Sequence, residues 1–484
     1  MRMNCQRLLI TMSMVFCGCV AILNARIAMA EAFPDDDVSA YRDSKWLTPH
    51  EVKRLEFPFF PSRAIASPMS PPFDVFDSSK ICGGCHIEIY RQWEGSVMAH
   101  SWKDPIYRAL LKRAGEATDG AVDNFCIGCH SPIGMVTNSI ADLDEKEERV
   151  PGVDCETCHS IASRTGLDNG AYLLHKSMDA NVKYGPRKDA ESPFHETVYS
   201  ELHTRSDFCA VCHNVTHPFN SVAIERTYDE WLDSPYSERG VQCQDCHMSP
   251  DTSEDGGMIK SALMGKARKS IAGHYFSGGN AVLLRYFGFE DRAERNIEML
   301  RSAAELELIS VPDAVRDGSL ATVTYKVSNV GAGHKLPTGF PEGREMWLDF
   351  RVQDGNGREI FRSGAIKDGK TEPGTRSFKV LMGDEDGNIV DINVWEVARV
   401  LSDNRIPPMG YATVDYVFHV PEDVQGPLRL TADLNYWPFS QHMADELLGE
   451  GELEVEVVTM AEIEAAIPVD DGYSVVINNE NEDK

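Results

Sequence analysis

The feature that most constrains this chain is the recurrence of one pentapeptide, Cys-x-x-Cys-His. It stands at Cys82-Gly83-Gly84-Cys85-His86, Cys126-Ile127-Gly128-Cys129-His130, Cys155-Glu156-Thr157-Cys158-His159, Cys209-Ala210-Val211-Cys212-His213 and Cys243-Gln244-Asp245-Cys246-His247. The chain has 13 cysteines; Cys5, Cys17 and Cys19 lie near its start, and the others fall wholly into these pairs. Two thiols about one helical turn apart can add across the two vinyl groups of one haem, and the adjacent histidine then reaches its iron. Zinc knuckles and structural disulfides also use Cys-x-x-Cys pairs. Neither asks for a histidine at the next position every time. The expectation is five covalently attached haems c. Cys82, Cys85, Cys126, Cys129, Cys155, Cys158, Cys209, Cys212, Cys243 and Cys246 are the tethers, and His86, His130, His159, His213 and His247 the proximal ligands.

Residues 1–30 read as a cleavable secretion signal, with Arg2 and Arg7 before an apolar run from Leu8 to Leu23 and Ala28-Met29-Ala30 at its end. Asn24 and Arg26 interrupt the run, which leaves it short for a bilayer span. Haem c is attached outside the cytoplasmic membrane, so the signal and the motifs support one another and the expected location is periplasmic or extracellular. The formal charge of −29 becomes more negative once the arginines of the signal are removed. Such a balance argues against nucleic acid and anionic lipid as partners, and suits solubility or docking onto basic patches of another protein.

At 484 residues the chain is too long for one ordinary core, so two or three domains are expected. Residues 31–75 carry Pro34, Pro49, Pro58, Pro61, Pro68, Pro71 and Pro72 and read as an irregular leader. Residues 76–306 hold every motif, with little sustained periodicity between them. Ala293, Ile297, Leu300 and Ala304 recur at helical spacing and predict a helix from Glu290 to about Leu306. Over 307–460 the pattern turns to alternation. Strands are expected at Ala321–Val327, Met346–Val352, Ala412–Val420, Leu428–Leu434 and Leu453–Val458, with a hairpin at Asp354-Gly355-Asn356-Gly357. Residues 461–484 read as an acidic tail. The fold class is an α-rich, loop-rich multihaem cytochrome c domain followed by an antiparallel β-sandwich (immunoglobulin-like) domain. Tyr90-x-x-Trp93-x-x-Ser96 and Tyr228-x-x-Trp231-x-x-Ser234 form an internal repeat, which reads equally as a reused haem-packing helix or as two aromatic-faced core helices. Asp384-x-Asp386-Gly387-Asn388-x-x-Asp391 has its glycine misplaced for a calcium loop and reads as a polar turn.

Each iron needs a sixth ligand or stays open. His50, His419 and His442 lie outside the haem segment and read as surface or packing residues. The foremost candidate is His100, which closes Trp93-x-x-Ser96-x-x-x-His100. His195 and His203 stand eight residues apart before the fourth motif, where a helix would place them on nearby faces. His274 lies in a glycine-rich stretch that lets backbone approach a porphyrin. His334 sits on the turn Gly333-His334-Lys335-Leu336-Pro337-Thr338-Gly339; if it ligates, the second domain is a lid on the first. His175 and His217 are reserves. A structural role competes for each, since a lone histidine is seldom a ligand. Met98 competes with His100, and Met248 cannot reach the iron that its neighbour His247 already holds.

The stretch from Ser192-Pro193-Phe194-His195 to Cys209-Ala210-Val211-Cys212-His213-Asn214, with Tyr228-Asp229-Glu230-Trp231 and Gly240-Val241-Gln242-Cys243-Gln244-Asp245-Cys246-His247-Met248, resembles exported multihaem cytochromes related to hydroxylamine oxidoreductase and its tetrahaem cytochrome partner. The likeness covers about 80 to 345 and implies closely stacked haems with mostly bis-histidine ligation. The chain has five motifs where that oxidoreductase has eight, and it lacks the Cys-x-x-Cys-Lys site of pentahaem nitrite reductase, so the resemblance does not carry an enzymatic activity with it. Electron transfer between a redox protein donor and acceptor is the first reading. A reductase or oxidase of a small nitrogen or sulfur compound at one open haem is the second. A membrane-associated partner, or assembly of copies into a conducting filament through the β-region, is the third.

Overall fold

A computed structural model describes residues 63–67, 71–140, 151–176, 180–253 and 255–470. The expected signal, most of the leader, His50 and residues 471–484 lie outside them. Among the described residues no helix is long and apolar enough to cross a membrane.

The motif-bearing part is built from short helices, because each segment has only a few residues between a capping group and the next loop. Motif helices run Ser79–Gly83, Asp123–His130, Cys155–Ser160, Asp207–Ala210 and Cys243–His247. Asp154 caps the third by accepting from the Thr157 amide at 2.7 Å. The last carries a capping box between Gln242 and Asp245. A longer helix, Pro105–Thr118, starts with proline at its first position and Asp104 accepting from the Ile106 and Tyr107 amides. Its inner face, with Tyr107 and Leu111, packs with Trp102, Ile127, Ile133, Tyr172 and Leu174 into a small core. One piece of the leader joins this part: Ile65–Ser67 pairs in parallel with Tyr172–His175.

The helix Glu290–Ala303 buries Ala293, Ile297 and Leu300 as expected, then passes directly into a strand at Ala304, so it ends three residues early. Beyond it lie two antiparallel sheets. One is Ala304–Ser310, Leu320–Asn329 and Tyr411–His419. The other is Glu359–Ser363, Glu345–Gln353, Leu428–Trp437 and Val458–Ile467, with Ser377–Phe378 beside it. They share a core in which Tyr325 of one meets Phe350 of the other at 5.4 Å between ring centres. The helix lies in that same core, so packing does not break near 306. The expected strand at Leu453–Val458 is displaced: it starts at Val458 and runs to Ile467, into what reads by composition as tail. Glu462 and Glu464 there alternate outward from Ile463 and Ala465, so acidity belongs to one face of a strand. The hairpin at Asp354 is formed, with Asp354 accepting from the Asn356 and Arg358 amides. Asp384 accepts from Asn388 in a turn between Val380–Gly383 and Ile389–Val390.

Candidate haem centres

All ten described thiols line one cavity of about 2080 Å³. Pockets for one small ligand hold about 300–1,000 Å³, so this space suits several bulky groups. The five motif histidines line it too. His86, His159 and His247 each donate Nδ1–H to a backbone carbonyl at 2.7 Å, those of Ser261, Tyr184 and Ser277. That bond sets the tautomer and leaves the Nε2 lone pair for the cavity, as metal-binding imidazoles require. His130 faces the Ser101 carbonyl at 3.4 Å. His213 differs from the other four: its Nδ1 faces a carboxylate, Glu225 Oε1, at 3.7 Å.

Three of the predicted distal histidines meet a motif histidine. The rings of His86 and His195 lie 6.5 Å apart at 25°, those of His247 and His334 6.3 Å apart at 12°, and those of His159 and His203 5.8 Å apart at 18°. Two imidazoles on opposite sides of one iron, each about 2 Å from it, would have ring centres about 6.3 Å apart. Ordinary aromatic pairs span the same separations. What favours a metal between the first two pairs is the hydrogen bonding. His195 and His334 also donate Nδ1–H to carbonyls, of Glu196 at 3.2 Å and Lys335 at 2.9 Å, so both partners keep Nε2 for the cavity. In the third pair His203 Nε2 donates to the Cys158 carbonyl at 3.0 Å, and its buried Nδ1 has no partner. Burial pushes His130, His203, His274 and His334 down to about 4, so all are neutral with a lone pair to give at neutral pH.

His195 and His203 do not share a helix. The first precedes the strand Glu196–Tyr199 and the second sits in the turn Glu201–Thr204, which sends them to different motifs. His274 lines the cavity with Nδ1 bound to the Ala272 carbonyl at 3.0 Å, and its charge environment includes His159 and His86. His100, the foremost candidate by spacing, is off the cavity wall. A one-turn 3-10 helix, Met98–His100, swings its ring onto Phe287 at 4.3 Å, and Nε2 donates to the Glu94 carbonyl at 2.9 Å. His217 has both nitrogens committed, to the Trp395 carbonyl and to the Phe219 and Asn220 amides. His175 bonds the Tyr184 hydroxyl and is not on the cavity wall.

His130 and His213 therefore meet no second imidazole among the described residues. Tyr107 lies flat on His130 at 3.7 Å and 2°, its buried hydroxyl without a partner. Asp104, Glu225 and Arg344 add charge to this wall, and Arg344 acts electrostatically on both carboxylates. Sequence reasoning did not find these four residues; Glu225 and Arg344 come from segments with no motif, and only the fold brings them here.

The turn that presents His334 is tied down from the motif side. Glu230 accepts from the Lys335 amide at 3.2 Å and the Thr338 hydroxyl at 2.8 Å, and pairs with Arg405 at 2.7 Å. Glu230 lies in Thr227–Leu232, one of the two repeated helices. Both are formed, Tyr90 and Trp93 being 5.7 Å apart and Tyr228 and Trp231 5.5 Å. Trp93 and Trp231 each donate Nε1–H to a carbonyl at 2.9 Å, and both line the cavity.

The centres are close neighbours. Thiols of different motifs lie within hydrogen-bonding reach: Cys82 of Cys155, Cys129 of Cys212 and Cys209 of Cys243. Cys158 acts electrostatically on Cys209 and Cys212. Numbered in chain order, centre 1 adjoins 3, 3 adjoins 4, and 4 adjoins both 2 and 5.

Residues 81–160 match the family model described as Cytochrome c554 and c-prime. No curated protein matches the chain significantly. Among solved structures, a penta-heme cytochrome c552 from Thermochromatium tepidum aligns with a TM-score of 0.59 at 20% identity, covering 82% of this chain and 100% of that one. The CARDB domain of the PF1109 protein from Pyrococcus furiosus aligns over 34% of this chain and 86% of that one at 15% identity, with a TM-score of 0.16 that is too low to bear on the fold. The segment 81–160 is thus similar to the cytochrome c554 and c-prime family, and the chain shares its fold with a pentahaem cytochrome c552.

Proposed function

We propose that this protein carries electrons between redox partners outside the cytoplasm, through five haems c held by the five Cys-x-x-Cys-His motifs. The observation that carries this reading is the pairing of His86 with His195 and of His247 with His334, near-parallel and about 6.4 Å apart with Nε2 free on both sides. An iron closed by two imidazoles has no position for substrate, and its remaining chemistry is to gain and lose one electron. His203 closes the third centre. Of the remaining wall imidazoles, His217 is committed at both nitrogens and His274 keeps Nε2 free. The contacts between motifs suit transfer along a fork, from centre 1 through 3 to 4 and from there to 2 or 5. The two sheets form a sandwich of immunoglobulin-like kind, whose His334 turn makes it a lid on the haem part. Export by residues 1–30 delivers the chain to where haem c is attached.

One observation favours a second reading. The described cavity offers three distal histidines with Nε2 uncommitted, His195, His274 and His334, and His203 with Nδ1 alone free, for five centres. Centres 2 and 4 have polar walls instead, built from Asp104, Tyr107, Glu225 and Arg344, which suits a small polar substrate at one open iron. Electron paramagnetic resonance of the oxidised, purified protein separates the two. Uniformly low-spin signals support pure electron transfer, and one high-spin iron among five supports a reactive centre. A pyridine haemochrome count other than five overturns the cofactor assignment.

A further inference from the structure

We infer that the surface over centre 1 is the docking site for an acidic redox protein, which exchanges electrons with this chain through the haem at Cys82 and Cys85. The inference rests on the electron-transfer reading and adds to it the port and the partner's chemistry. Centre 1 stands at the unbranched end of the fork, so a port there gives access to both branches. Three segments converge on it: the motif itself, the stretch that delivers His195, and the loop 258–268, whose ends bridge at Ile259 and Arg268. The loop is tied to the motif by the Leu263 amide donating to the Cys85 carbonyl at 3.0 Å and by His86 donating to Ser261.

The surface is apolar at its centre. Met258, Leu263 and Met264 are 59%, 60% and 70% exposed, and Ile81 and Phe194 of the adjoining segments are 65% exposed. Ile81, Phe194 and Met264 line the cavity, and a haem there would cover part of them. Met258 and Leu263 do not line it and would stay bare. Contiguous exposed apolar side chains beside a redox centre mark an interaction site.

Charge selects the partner. The chain carries 76 acidic and 47 basic residues, yet residues 256–270 hold Lys260, Lys266, Arg268 and Lys269 and no acid. Arg187 and Lys188, also exposed, continue the patch. Asp189 within it is already held by Lys266 and Arg268, each at 2.6 Å, and Glu88, Glu191, Glu196 and Asp255 are exposed acids at its margin, one fewer than the five exposed cations Arg187, Lys188, Lys260, Lys266 and Lys269. An acidic partner is repelled by most of this molecule and attracted here, so the field orients the encounter with its cofactor toward centre 1. Each transfer moves one electron, lost by one cofactor and gained by the other, with no bond made and no proton moved.

The test is stopped-flow reduction of the full-length holoprotein by a reduced plant-type [2Fe–2S] ferredoxin, an acidic one-electron donor, at low and high ionic strength. The wild-type rate constant should fall steeply with salt. Lys260→Glu with Lys269→Glu should lower it about tenfold at low salt and flatten the salt dependence. Leu263→Ser should lower it at every salt concentration, and Lys367→Glu, an exposed charge on the β-region, should leave it unchanged. An unchanged rate in the double variant, or an equal loss in Lys367→Glu, overturns the docking surface. Haem content of each preparation separates the failures: haems in place with an unchanged rate overturn this inference alone, and a chain without covalent haem overturns the electron-transfer reading as well.

Discussion

Glu342 is held in the wrong state for its type, and replacing it should stabilise the protein in a pH-dependent way. It lies between the His334 turn and the strand Glu345–Gln353. Both its carboxylate oxygens are buried without a hydrogen-bond partner, and it is not on the cavity wall, so haem would not relieve it. Burial, opposed only weakly by its own backbone amide, pushes it from 4.5 up to about 8. A raised folded pKa means that between about 4.5 and 8 the native chain binds a proton that the unfolded chain has lost. Stability from this group is therefore complete below 4.5, falls as pH rises, and is gone above about 8. At about 1.4 kcal/mol per pH unit the full loss is about 5 kcal/mol, and relaxation of a real buried site reduces it to about 2–3 kcal/mol.

Glu342→Gln removes the titration and keeps the shape. For a chain of this length about 1 kcal/mol moves the melting temperature by roughly 1 °C. The variant should melt with the wild type at pH 4.5 and about 2–3 °C above it at pH 9, followed by differential scanning calorimetry across that range. A difference that does not change with pH, or a variant less stable than wild type at pH 9, refutes the reasoning.

Other outcomes follow from the geometry of the centres. His334→Ala and His195→Ala should each convert one low-spin signal to high-spin in electron paramagnetic resonance, whereas His100→Ala should leave the spectrum unchanged because its ring faces Phe287. Glu225→Gln removes the carboxylate beside His213, which favours the ferric iron through its ligand. It should raise one haem potential by some tens of mV in a spectroelectrochemical titration. Glu156 is fully buried between Lys176, at 3.1 Å, and Lys183. Glu156→Ala leaves the buried Lys176 without its carboxylate and Lys183 with Asp77 alone, at 3.4 Å, and should cost about 3–5 kcal/mol, read as a lower denaturation midpoint.

The five motifs are legible in the sequence because their chemistry would be local: two thiols and an imidazole within five positions can act on one group, and the structure brings all of them to one cavity. The strands at Leu320–Asn329 and Glu345–Gln353 were legible for a similar reason, since alternation is written residue by residue. The distal histidines were legible only as a set. His334 and His203 meet their partners because loops far apart in sequence close on one cavity, and spacing carries no record of that closure. His100 misleads for the converse reason. Its helical spacing from Trp93 is real, but the helix ends at Glu94 and the following turn redirects the ring. The strand Val458–Ile467 was hidden by its outward carboxylates, which composition alone assigns to a tail.

The β-region is part of the haem cavity rather than an appendage to it, and Glu230 shows why. This one carboxylate, on a helix whose Trp231 lines the cavity, accepts from the backbone and a side chain of the His334 turn and holds Arg405 from across the sheets. Arg405 in turn shares Asp403 with Lys335 at 2.9 and 2.7 Å. The turn is thus clamped from both sides at the place where it presents the His334 ring to His247. A histidine delivered by a free loop would meet its iron at an entropic cost each time. Delivered from a turn whose backbone and flanking side chains are already bound, it would cost little. The packing of Glu290–Ala303 into the sheet core serves the same end, because it joins the element that follows the last motif to the scaffold that returns His334 to it.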